Sequence, residues 1–118
     1  MGMRNTKGEF LNHVSNRAIL CCQIYKRNRY GERPNYINLT TGWTTEDWQQ
    51  FISDIDFEYD SGYGGQELFG TIWYVDGTWS SRGEYDGSEW WEHHQCPDIP
   101  NELNRIDKVR DKKINQIL

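Results

Sequence analysis

"YVDGTWSSRGEYDGSEWW", residues 74–91, contains two Asp-Gly pairs, Asp76-Gly77 and Asp86-Gly87, each flanked by strand-forming residues. Asp-Gly is favoured in two-residue type I′ hairpin turns, where both positions need a positive φ. Two such turns predict an antiparallel meander of three strands over about 67–75, 78–85 and 88–95. They also set a register. The first turn would place Tyr74 opposite Trp79, Ile72 opposite Ser81 and Gly70 opposite Gly83. The second would place Glu84 opposite Glu89, Gly83 opposite Trp90 and Arg82 opposite Trp91.

That register sorts the side chains onto two faces. Leu68, Gly70, Ile72, Tyr74, Trp79, Gly83, Tyr85 and Trp90 make the more apolar face, expected to be core, with Trp90 lying over the two glycines. Phe69, Thr71, Trp73, Ser80, Arg82, Glu84, Glu89, Trp91 and His93 make the other face, expected to meet solvent. Three readings of this second face remain open. It can be a solvated surface whose Arg82–Glu pairs add little stability. It can be a partner-binding face anchored by Trp73, Arg82 and Trp91 with Glu84 and Glu89, since Trp and Arg dominate interface energetics. It can be a small hydrolytic or nucleotide-processing site, with Glu84 and Glu89 as paired carboxylates beside His93, provided a cleft exists.

Outward from the meander, the pattern changes period. Trp48, Phe51, Ile52 and Ile55 fall at i, i+3, i+4 and i+7, a helical stripe capped by Thr44 or Thr45. Thr6-Lys7-Gly8-Glu9 reads as a capping box before a short helix over about 7–15. Arg17–Arg27 reads as a strand covered on both faces, and Tyr36–Leu39 as its hairpin partner. Phe57-Glu58-Tyr59 adds another short strand, and Asn101 caps an expected third helix carrying Leu103, Ile106 and Val109. The order has no βαβ rhythm. It predicts a single α+β domain over 1–118, an antiparallel sheet with about three helices on one side.

Charge is distributed unevenly. Residues 1–43 carry net +5, residues 44–102 net −13, and residues 103–118 net +3, for a total of −5. The acidic middle argues against direct nucleic-acid binding and for a partner with a basic surface, a protein or nucleoprotein complex. Asp54, Asp56, Glu58 and Asp60 join the candidate partner-binding residues on this ground. The stretch Lys26–Tyr30 with Arg33 is the one basic and aromatic cluster, and it reads first as a solvated turn.

Other chemistry finds little support. Three cysteines, two of them adjacent, do not make a disulfide framework, and no apolar run is long enough to span a membrane; both fit a cytoplasmic chain. Adjacent His93 and His94 point to opposite faces of a strand and no CxxC accompanies Cys96, so no metal site is expected. Asp56, Glu58, Asp60 and Glu67 match an EF-hand count, but Ser61 stands where its glycine belongs. No phosphate-binding loop or other cofactor motif occurs, and none of these residues implies a cofactor.

Residues 59–100, "YDSGYGGQELFGTIWYVDGTWSSRGEYDGSEWWEHHQCPDIP", resemble a block of small phage and prophage proteins. The resemblance covers about a third of the chain and carries no catalytic residue. It implies a virus-encoded accessory protein in the host cytoplasm, of the kind that inhibits host defence, CRISPR systems included, by binding. The leading expectation is a non-enzymatic acidic interaction protein.

Overall fold

In a computed structural model, residues 2–27, 33–61, 65–98, 100 and 102–103 are described. The chain runs β1 (Gly2–Asn5), α1 (Thr6–His13), β2 (Ile19–Lys26), β3 (Ile37–Leu39), α2 (Thr45–Asp54), β4 (Glu58–Ser61), β5 (Leu68–Tyr74), β6 (Trp79–Tyr85) and β7 (Ser88–His94). It is an α+β fold with two antiparallel sheets: a five-stranded one in the order β3-β2-β5-β6-β7 and a two-stranded β1-β4 pair. The described residues form two helices. The third, expected from Asn101 onward, falls outside them, as do residues 28–32 of the basic cluster. No helix among the described residues is long and apolar enough to cross a membrane.

Local chemistry accounts for the helices. Thr44 caps α2: its hydroxyl accepts from the Asp47 N–H (3.1 Å), and the Asp47 carboxylate accepts from the Thr44 N–H (2.9 Å). Phe51 and Ile55 of the expected stripe enter the core, with Trp48 and Ile52 packed at its margin. In α1 the cap is Asn5 rather than Thr6, its side-chain oxygen accepting from the Gly8 N–H (2.8 Å). Glu9 is therefore free of the box and turns to Arg4 and Tyr59. The sequence reading also missed β1, a short N-terminal strand that pairs with β4, Arg4 opposite Tyr59.

Both helices pack on one face of the large sheet. Phe10 of α1 meets Phe51 of α2 edge-on at 5.4 Å between ring centroids and Trp91 of β7 at 6.4 Å. Ile24, Leu39, Leu68, Ile72 and Tyr74 line that face of the sheet.

The two Asp-Gly turns differ. Asp86 (φ 53°) and Gly87 (φ 86°) both lie in the left-handed region, as a type I′ turn requires. The pairing it sets, Glu84 with Glu89, Gly83 with Trp90 and Arg82 with Trp91, is the one expected. At the first turn only Gly77 has a positive φ (88°). The Gly77 N–H donates to the Tyr74 carbonyl (3.1 Å) and the Tyr74 N–H to the Thr78 carbonyl (2.9 Å), leaving a longer loop with a bulge at the glycine. The Asp76 carboxylate accepts from the Thr78 N–H (2.9 Å), and the Val75 N–H is drawn to the Ala18 carbonyl (2.8 Å). Ile72 consequently faces Ser80 and Trp73 faces Trp79, one residue from the expected register.

One residue of slip exchanges faces. The core face of β5 is as expected, Leu68, Ile72 and Tyr74, but β6 and β7 are turned over against it. Trp91, not Trp90, lies over Gly70, where an added Cβ would stand 3.0 Å from the Trp91 ring. Trp90 covers Gly83 on the outer face.

Candidate binding surface

The residues expected on the solvent face of β6 and β7 instead form a buried ionic cluster. The Arg82 side chain is 1% exposed, and Glu89 is 2% exposed. Arg82 Nη2 donates to the Tyr59 hydroxyl (2.8 Å) and stands 3.4 Å from Glu89 Oε1. Its guanidinium is flanked by the rings of Tyr59 (5.4 Å) and Trp91 (5.1 Å), whose π faces meet part of its charge. The Tyr59 hydroxyl donates to Glu9, which also holds Arg4 at 2.9 Å. Burial, reinforced by the Glu9 hydrogen bond, pushes the Tyr59 phenol up to about 12, so it remains a neutral donor.

Glu89 has a structural partner that neither its charge nor its position foretold. β5 and β6 pair only at Thr71–Trp73 with Trp79–Ser81, then part. Across the gap the Glu89 carboxylate accepts from the backbone N–H of Glu67 (2.7 Å) and of Leu68 (2.9 Å). The Gln66 amide donates to the Leu68 carbonyl (2.7 Å). Side chains thus satisfy the backbone groups that a neighbouring strand would otherwise serve.

The proposed acid–base group does not converge. Glu89 is engaged with the backbone of β5, Glu84 bends back to accept from the Gly87 N–H (2.8 Å), and His93 contacts Thr78 Oγ1 (2.9 Å). This also relieves the opposed Glu84–Glu89 pair, whose carboxylates leave in different directions. Two serines have histidine neighbours that the sequence did not reveal. Ser80 Oγ lies 2.8 Å from His13 Nε2 and 2.7 Å from the Tyr74 hydroxyl, but it is fully buried. Ser81 Oγ lies 2.9 Å from His94 Nε2, and Glu92 approaches that same nitrogen at 3.6 Å, so serine and carboxylate do not sit at opposite ends of the imidazole.

His13 is held below its usual value of 6.5, first by burial and then by the charges of Arg17, His93 and Arg82. The unfolded chain therefore takes up a proton before the folded one does. The stability this group contributes is complete above about pH 6.5 and is lost as pH falls through the lower folded value. Denaturant midpoints should fall between about pH 7 and about pH 5.5, and the fall should be shallower in His13→Gln. An equal slope in both proteins would remove His13 as its source.

The acidic residues are partly neutralised at home. Asp56 receives the Asn5 amide (3.1 Å) and stands 3.8 Å from Lys7, while Asp54 receives the Gln50 amide (2.8 Å). Glu58 and Asp60 sit on β4 opposite Asn5 and Met3. The basic N-terminal segment thus lies directly against the acidic middle, which weakens the long-range field inferred from the sequence. Glu58–Ser61 is a strand, not a calcium-loop conformation, and the described residues hold no group of three or more metal-ligating side chains.

The face opposite the helices is organised in cross-strand rows. Asn38, Gln23, Thr71, Ser81 and Glu92 align across β3, β2, β5, β6 and β7 as one polar row. On one side runs the row Trp73, Trp79 and His94, with Trp79 and His94 stacked at 4.2 Å. On the other run Tyr36, Tyr25 and Phe69, Tyr25 meeting Tyr36 edge-on at 4.9 Å and stacking on Phe69 at 5.1 Å, continued past the gap by Trp90. Trp73, Trp79 and Trp90 remain 44%, 39% and 38% exposed. Of the sequence candidates, Trp73 is on this face, whereas Arg82, Glu89 and Trp91 are on the inner one. Trp79 and Trp90 were missed because the first turn was read one residue short.

Compared with known proteins, the chain matches no family model, no curated protein and no solved structure.

Proposed function

We propose that the chain is a non-enzymatic interaction protein that engages a basic surface of a protein or nucleoprotein complex through the open face of its five-stranded sheet. The observation that carries this reading is the exposure of Trp73, Trp79 and Trp90 together on the face the helices leave bare. Large aromatic side chains left in water on one contiguous surface are characteristic of interaction sites. No lysine or arginine occurs in the three rows, and Glu92 contributes a negative charge, so the face suits a cationic partner. The resemblance of residues 59–100 to small phage proteins supplies a setting: inhibition of a host defence complex, CRISPR-type or another nucleic-acid-handling assembly, in the host cytoplasm. An enzymatic role has less support, since Glu84, Glu89 and His93 point to separate tasks.

The test compares affinity capture from bacterial lysate at low salt by the native protein and by a Trp73→Ala/Trp79→Ala double variant. The native protein should retain a specific protein or nucleoprotein that the variant loses, with the variant's thermal midpoint little changed. Equal capture by both, or none by either, would refute the assignment of the open face.

A further inference from the structure

Resting on the binding role of the open face, we infer that its polar row is the floor of a groove for an extended peptide, and that the Glu92 end seats an arginine or lysine side chain of that peptide between Trp79 and Trp90.

The shape follows from sheet geometry. Five residues on five adjacent strands make a floor roughly 19 Å long, and the flanking rows stand about 7 Å to either side. An extended peptide of about six residues spans that length. The floor offers hydrogen-bonding groups with no net charge over most of its course: the Gln23 and Asn38 amides, themselves joined at 2.9 Å, then the hydroxyls of Thr71 and Ser81. A depression of about 310 Å³ opens in it between β5 and β6, bordered by Gln23, Tyr25, Gln66, Thr71 and Ser81 and reached at the gap by Arg82, whose side chain is 1% exposed. Such groups can serve the backbone of a bound chain, while the aromatic rows pack against its side chains.

The Glu92 end is different. Its side chain is 41% exposed and is the floor's only carboxylate. The Trp90 indole N–H donates to it at 2.9 Å and fixes one oxygen, leaving the other turned toward His94 at 3.6 Å. On β7 Trp90 precedes it by two residues on the same face, and Trp79 lies diagonally across on β6 beneath His94. A carboxylate held in place between two indoles meets both requirements of a cation site, an opposite charge and π faces. An arginine fits it best, since its planar guanidinium can pair with the carboxylate and stack on a ring at once. A polyanion is repelled by the same group.

The experiment pans a phage-displayed random nonapeptide library against the immobilised full chain, then titrates one selected peptide into variants by fluorescence polarisation. The enriched peptides should share one fixed arginine or lysine. Binding should weaken about tenfold or more in Glu92→Gln, which keeps the Trp90 hydrogen bond, and should hold in Glu46→Gln, an equal charge change on α2. Peptides that lose binding in Trp73→Ala yet ignore Glu92→Gln would overturn the cation seat and leave the open-face reading standing. No enrichment, or peptides indifferent to both changes, would overturn the groove. Cellohexaose or a nine-residue oligothymidylate, tested in parallel, would displace the peptide assignment if either quenched tryptophan fluorescence in native protein but not in Trp79→Ala.

Discussion

Glu89→Ala should destabilise the protein by about 3–5 kcal/mol, the largest loss expected from any single polar substitution. The change strands two buried backbone groups, the N–H of Glu67 and the N–H of Leu68, and takes from the buried Arg82 guanidinium its nearer carboxylate, leaving it the Tyr59 hydroxyl and Glu9 at 3.8 Å. Both N–H groups would sit away from water without an acceptor. Glu89→Gln should cost less, because its amide oxygen can still accept one N–H, though its NH₂ then opposes another donor. Arg82→Met should also cost less than Glu89→Ala, because the carboxylate would keep both backbone donors. Chemical denaturation of the three variants orders these effects. A loss under about 1 kcal/mol for Glu89→Ala would mean that the carboxylate does not bridge the gap between β5 and β6.

Trp91→Ala should cost about 3 kcal/mol or more, and Trp90→Ala under about 1 kcal/mol, although the two are sequence neighbours. Trp91 packs on the core beside Phe10, stacks on His13 at 5.9 Å, covers Gly70 and faces Arg82. Its removal opens a cavity and uncovers a buried cation. Trp90 rests on Gly83 on the outer face, 38% exposed. Urea midpoints of the pair decide the matter. The reverse order would restore the two-residue reading of the Asp76-Gly77 turn and turn β6 and β7 over.

Much of this architecture is legible from residue type alone. The cap at Thr44, the stripe through Phe51 and Ile55, the β2–β3 hairpin and the pairing of β6 with β7 all follow from local chemistry. What was not legible depends on distant partners. Asp76-Gly77 has the same letters as Asp86-Gly87, yet its loop takes one more residue where Ala18 draws in the Val75 N–H. No short window of sequence contains that contact. From that single residue came the misplacement of Trp90, Trp91, Arg82 and Glu89. Tertiary pairing also hid β1, four residues whose strand character comes from lying against β4. The open face became visible only when the register of all five strands was known.

The parting of β5 from β6 has a consequence for how the surface can diverge among related chains. Three residue pairs join the two halves of the sheet, and beyond them the Glu89 carboxylate crosses the gap to the Glu67 and Leu68 N–H groups. A ladder of backbone bonds fixes strand separation at one value, but a bridge made of side chains does not. The space between Phe69 and Trp90 therefore depends on the length of one side chain, that of residue 89, while the ladders on either side stay intact. The open face can thus change shape at one end while its framework is conserved.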